Sequence, residues 1–134
     1  HDSRWVHRSH FDWDKAKKRN QTGSVEQRIF SALKKVIALR KETLAFADFD
    51  NRQLLAVDNP NLLAFARSDP QNGRNRVLVV GNFNPEAQTL PVAGLRSQGF
   101  FLQESMKDLC TGEHVVLEDD AIRLPPLSFY WLTD

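Results

Sequence analysis

Val77-Leu78-Val79-Val80-Gly81-Asn82-Phe83-Asn84-Pro85 settles the architecture. A short apolar run rich in β-branched residues stops at Asn84-Pro85, a turn signal, and is too short for an ordinary globular helix. It predicts a strand over 77–83. Similar runs lie on both sides of it, at 53–57, 62–67, 87–90, 100–108, 114–117, 121–124 and 129–133. Asp50-Asn51, Asn59-Pro60, Asp69-Pro70, Asn72-Gly73, Thr111-Gly112 and Asp119-Asp120 separate them. Short strands at regular spacing with tight turns predict an antiparallel β-sandwich. A module of that size buries roughly 60% of its unfolded surface, which makes it only marginally self-sufficient.

Upstream of residue 46 the period changes. Ser24 is placed to cap a helix, with Gln27 three positions later completing a capping box. Ile29, Phe30, Leu33, Val36, Ile37 and Leu44 then recur at helical spacing, with Lys34, Lys35, Arg40 and Lys41 mostly opposite. One long amphipathic helix is expected, ending near Glu42–Thr43. Such a helix cannot bury its own apolar stripe, so it needs a surface to dock on or a second copy to dimerise with. Residues 1–23 read as irregular, with a short turn or helix around 12–19 that Asn20-Gln21-Thr22-Gly23 breaks. The expected fold is therefore mainly β: an antiparallel sandwich preceded by one long amphipathic helix and a loop.

Composition narrows the function. Hydrophobic and charged residues make up 41% and 26% of the 134 residues, which is the balance of a globular domain. No apolar run approaches the ~18–20 residues of a membrane helix. The single cysteine, Cys110, excludes an internal disulfide framework and a cysteine-based zinc site. It does not fix a compartment, and the cytoplasm is the default expectation. Residues 1–42 carry eleven Lys/Arg against five Asp/Glu, and the remainder seven against twelve. The basic part lies on the polar side of an amphipathic helix and forms no nucleic-acid module, so no nucleic-acid partner is expected.

Chemistry concentrates at the start, in His1-Asp2-Ser3-Arg4-Trp5-Val6-His7-Arg8. Terminal residues generally fray, so the expectation is that this cluster belongs to a longer protein. Ser3, Ser9 and His7 are close in sequence, but that does not make a catalytic triad. His1, His7 and His10 with Asp2 and Asp12 match no metal-ligand spacing, and no metal or cofactor is expected. Asp2 with Asp12 or Asp14 could form a carboxylate pair for glycoside cleavage. Asp12 could equally cap a short helix, and Asp14 could pair with Lys17 or Lys18. Glu118-Asp119-Asp120 reads as a solvated turn. Arg4 stands out, because a guanidinium is always charged and presents five donors in a rigid fork. Beside Asp2 and Trp5 it could anchor a carboxylate and sugar hydroxyls together, or equally be a surface Arg in a loose loop.

Asp2-Ser3-Arg4-Trp5-Val6-His7-Arg8 resembles the Asp-Ser-Arg-Trp-x-His-Arg motif of amylosucrases and related sucrose hydrolases of glycoside hydrolase family 13, the α-amylase family. Other α-glucosidases of the family carry Pro-Met-Gln-Trp after the Arg. Ser9 stands where the family usually has Pro. Residues 37–46 are similar to the end of the last barrel helix. Residues 61–67, 77–83, 108–112 and 124–132 are similar to successive parts of the C-terminal β domain. The resemblance implies that residues 1–45 are the last βα loop and final helix of a (β/α)8 barrel, and that residues 46–134 are the C-terminal antiparallel β domain.

It further implies a retaining parent enzyme that takes glucose from sucrose to build α-1,4-glucan or to hydrolyse it. The nucleophile, the acid/base and a third Asp would lie upstream of His1, so this chain would carry no catalytic residue and play a structural part. Arg4 would salt-bridge an upstream Asp and close the glucosyl pocket, with Asp2 and Trp5 beside it. The partners implied are the barrel domain, sucrose and α-glucan. The alternative is a stand-alone carbohydrate-binding sandwich using exposed aromatic rings. Phe129 and Trp131, in an apolar closing strand, are expected in the core.

Overall fold

The computed structural model describes residues 10–100 and 102–133. The chain divides into two compact units, His1–Ala38 and Leu39–Asp134.

In the first unit, helix α1 (Trp13–Lys17) is capped by Asp12, whose carboxylate accepts from the Lys15 N–H at 2.9 Å. A 3-10 turn follows at Lys18–Asn20, and the chain enters the long helix α2 (Val25–Glu42), whose last turn, from Leu39, belongs to the second unit. Ser24 caps α2, its hydroxyl accepting from the Gln27 N–H at 3.0 Å. The other half of the expected capping box is not made. The Gln27 amide reaches forward to the Ser31 hydroxyl at 3.1 Å instead. No residue of α2 is buried, and Val25, Ile29, Phe30, Leu33 and Ile37 are exposed. The stripe that the sequence predicts is present and uncovered among the described residues.

The second unit is an antiparallel sandwich. One sheet has the order β1-β2-β3-β8-β5-β6, formed by Arg52–Leu55, Leu62–Arg67, Val77–Asn82, Phe129–Thr133, Ser105–Asp108 and His114–Val116. The other pairs β4 (Gln88–Pro91) with β7 (Ala121–Leu124). Alternation puts Leu62, Ala64, Ala66, Leu78, Val80 and Leu132 on the inner face of the large sheet. Leu90, Ile122 and Leu124 face them from the small sheet. Asn82 ties the two layers together. Its amide donates to the carbonyls of Glu86 (2.9 Å) and Pro125 (2.8 Å), and its oxygen accepts from the Asn84 N–H (2.9 Å).

The expected strand over 100–108 is too long: β5 begins only at Ser105. A short helix, α3 (Ala93–Ser97), precedes it and supplies Leu95 to the core. It ends in a Schellman motif. Gly99 takes φ +80° and donates to Arg96, while Phe100 donates back to Leu95. Phe100 and Leu95 are both buried, so the apolar pair that seals such a motif belongs to the core. Phe100 is thus the end of a helix cap, not the start of a strand.

A second apolar cluster lies apart from the sandwich core: Ala45, Phe46 and Val77 with Val79, Leu109 and Trp131. The rings of Phe46 and Trp131 stand 4.7 Å apart. Arg67 closes this region. It donates to the Asn51 side chain and the Asp48 carbonyl, and lies over the Phe46 ring. Burial, with Arg52 and Arg40 nearby, lowers its pKa.

Candidate functional site

Asp2, Arg4 and Trp5, with His1 and His7, lie outside the described residues. Of the other candidates, His10 is exposed, Asp12 caps α1, and Asp14 pairs with Lys17 at 2.8 Å. Asp12 and Asp14 therefore have local structural work, and the expected alternatives to a carboxylate pair are the ones observed. Among the described residues no group of three or more His, Cys, Asp or Glu side chains could hold a metal ion. No described helix is long and apolar enough to cross a membrane.

The β domain instead offers a surface that the sequence does not announce. The outer face of the six-stranded sheet carries an apolar groove of about 440 Å³ over β2, β3 and β8. Leu63 and Phe65 come from β2, Val79 from β3, Phe129 and Trp131 from β8, and Phe83 from the end of β3. Gly81 lies among them. A Cβ there would stand 3.4 Å from the Phe83 ring, so the missing side chain keeps the groove open. Phe83 is 68% exposed and Phe129 48% exposed. Phe129 is therefore not a core residue. In the closing strand Tyr130 and Leu132 point inward, and pleating sends Phe129 and Trp131 to the other face.

Leu127 rims the groove and is 69% exposed, with φ +49°. Left-handed backbone costs an ordinary residue about 1–2 kcal/mol. A bulky apolar residue at an exposed left-handed position is an anomaly of the kind found at functional surfaces. Leu127→Gly is expected to stabilise the chain by about 0.5–1 kcal/mol, the relieved strain less the entropy that glycine adds to the unfolded state. Thermal unfolding of the two proteins measures it, and a destabilised variant would show that the Leu127 side chain packs usefully in the free chain.

Behind the groove, Asp108 anchors Trp131. Its carboxylate is fully buried and accepts four hydrogen bonds, from the N–H groups of Cys110 (3.3 Å), Thr111 (3.0 Å) and Trp131 (2.9 Å) and from the Thr111 hydroxyl (2.8 Å). The Leu109 N–H donates to the Trp131 carbonyl at 2.8 Å. The β5–β6 turn and strand β8 are thereby held in one register.

The far side of the domain is different in kind. Two clefts, of about 410 and 470 Å³, lie on either side of Glu118 and Arg123 and share both residues. Glu113, His114 and Tyr130 line the first; Thr89 and Asp119 line the second. Burial raises the Tyr130 pKa, and the charges of Asp108 and Glu113 add to that.

The family described as Maltogenic Amylase, C-terminal domain, matches residues 52–131, which is the sandwich from β1 into β8. No curated protein sequence gives a significant match. Solved structures do. A variant of AmyP in complex with maltotriose superposes with a TM-score of 0.63 at 13% identity, over 84% of this chain and 22% of that one. A pullulanase complexed with maltotriose, from Anoxybacillus sp. LM18-11, gives 0.60 at 16% identity, over 92% of this chain and 16% of that one. These likenesses show the fold, and the chain spans about a fifth or less of either structure's length. With the family match covering more than half of its residues, the chain belongs to the maltogenic amylase C-terminal domain family, the β domain of α-amylase-family enzymes.

Proposed function

We propose that the chain is the C-terminal portion of a sucrose-active, retaining enzyme of the α-amylase family. In this reading residues 1–45 complete a (β/α)8 barrel and residues 46–134 form a β domain seated on it. The observation that carries the reading is the uncovered apolar groove on the six-stranded sheet of a domain from this family. The bare stripe of α2 supports it, since a barrel wall is the kind of surface such a stripe packs against. The choice of sucrose rests on Asp2-Ser3-Arg4-Trp5-Val6-His7-Arg8, which resembles the amylosucrase and sucrose hydrolase motif. The chain itself supplies no catalytic residue; its part is structural, with Arg4 closing the glucosyl pocket beside Asp2 and Trp5.

Exposed Phe83 and Phe129 favour a second reading, a stand-alone carbohydrate-binding module. The chemistry of the groove argues against it. Its polar side chains are Asn82 and Ser128, and both are engaged: Asn82 ties the sheets, and the Ser128 hydroxyl donates to the Pro125 carbonyl at 2.8 Å. A sugar entering the groove would lose water from its hydroxyls without replacement hydrogen bonds. An apolar protein surface has no such cost.

Phe83→Asp separates the two. In the isolated chain the ring is exposed, and the expected change in stability is within about 0.5 kcal/mol. In the longer enzyme the same change sets a carboxylate against an apolar partner and is expected to cost about 2–4 kcal/mol. Denaturant unfolding of both proteins measures the difference. Equal, small effects in the two would overturn the docked domain.

A further inference from the structure

We infer that the Gln98 side chain is a plug in the β1 edge of the six-stranded sheet, and that it keeps two copies of this chain from pairing strand to strand. β1 is the outermost strand on one side of that sheet and β6 on the other. β6 is three residues long, and an edge that short is a poor template for another strand. β1 is longer, and Leu54 within it is 70% exposed.

The register shows which backbone groups of β1 are open. The Phe83 N–H donates to the Asn61 carbonyl, so the odd-numbered residues of β2 turn their backbone groups toward β3. Ala64 and Ala66 turn theirs toward β1, opposite Leu55 and Gln53. Arg52 and Leu54 therefore point their N–H and C=O groups away from the sheet, and Ala56, next in the alternation, does the same.

At Ala56 both groups are taken. Its N–H donates to Gln98 Oε1 at 2.7 Å, and Gln98 Nε2 donates to its carbonyl at 2.9 Å. One side-chain amide thus supplies the donor and acceptor that a facing strand residue would supply. Gln98 Nε2 also donates to the Gly94 carbonyl at 2.8 Å, and the Gln53 amide donates to the Gln98 backbone carbonyl at 3.2 Å. The mount is fixed. Gln98 ends α3, the left-handed Gly99 follows it, and Arg76 donates to the Gly99 carbonyl at 3.2 Å while lying over the Phe100 ring.

A second copy of the chain is the partner this edge fits. Identical strands can pair antiparallel about a two-fold axis. Centred on Leu54, such pairing sets the two exposed leucines against each other and Arg52 against Ala56. No two arginines meet, so the charge that usually blunts an edge does not bar this register. It does need the Ala56 N–H and C=O of both copies, and Gln98 holds them. With Gln98 in place, the Leu54 pair is all that remains of the ladder.

The test uses the full 134-residue chain, by sedimentation equilibrium and by amide exchange followed residue by residue. In the wild type the Ala56 amide should exchange roughly tenfold or more slowly than the Leu54 amide, since one is bonded and the other open. Gln98→Ala should strengthen self-association by roughly tenfold or more and slow exchange at Leu54 as the copies pair. Leu54→Pro removes an N–H that β2 does not use. The double variant Gln98→Ala with Leu54→Pro should therefore return to wild-type association, which separates β1 pairing from any contact made by the bare stripe of α2. A Leu54 amide as protected as Ala56 in the wild type would overturn the open edge. Unchanged association in Gln98→Ala would overturn the plug, as would a gain that survives Leu54→Pro. None of these results depends on sucrose turnover by the longer enzyme.

Discussion

Asp108→Ala is expected to destabilise the β domain by about 3–4 kcal/mol, a large share of what a small domain has. Three backbone N–H groups and one hydroxyl converge on this one carboxylate. Removing it leaves the Trp131 N–H facing a cavity where a strong acceptor stood. The turn donors at Cys110 and Thr111 are partly exposed and can recruit water, which is why the loss does not reach the sum of four bonds. Asp108→Asn keeps the shape and one acceptor oxygen, so a smaller loss is expected. Urea unfolding of the three proteins measures the series. A loss below 1 kcal/mol for the alanine variant would mean that the register of β5 and β8 is set by something other than this carboxylate. The same substitution should loosen Trp131 and with it one wall of the apolar groove, seen as a change in tryptophan emission under native conditions.

Much of this architecture can be read directly from local sequence pattern. Leu62–Arg67, Val77–Asn82, Ala121–Leu124 and Phe129–Thr133 are strands where β-branched and aromatic runs meet turn residues, within a residue of the expected limits. Helix α2 spans Val25–Glu42, where the stripe and the Ser24 cap put it. Helix α3 is missed because five residues show too little periodicity. Its signal is Gly99 followed by apolar Phe100, the end of a Schellman motif, which is easily taken for a strand start.

The groove escapes the sequence for a different reason. Phe129-Tyr130-Trp131-Leu132 is apolar at every position, so its pattern does not say which side chains face the core. Only the register of β8 against β3, with Leu78 opposite Leu132, puts Leu132 inward and Phe129 outward. The two clefts beside Glu118 and Arg123 are hidden too, because they bring together residues from β4, the β7 turn and the β6 edge that meet only in three dimensions. The Arg4 cluster is the reverse case. It is conspicuous in sequence and lies outside the described residues.

The most direct measurement of the central claim is sucrose turnover by the longer enzyme with Arg4 replaced. In the proposed reading the Arg4 guanidinium salt-bridges an upstream Asp and closes the end of the pocket that holds the glucosyl ring. Removing one partner of a buried hydrogen-bonded charge pair costs about 3–5 kcal/mol. If that loss falls on the transition state it is a factor of roughly 10²–10³ or more in kcat/KM. Arg4→Lys keeps the charge but loses the planar fork, so it should not restore activity. Release of glucose and fructose from sucrose, followed for the parent, Arg4→Ala and Arg4→Lys at matched folded concentration, gives the answer. The account predicts turnover by the parent and near-complete loss in both variants. Wild-type kinetics in Arg4→Ala, or a parent that leaves sucrose intact, would contradict it.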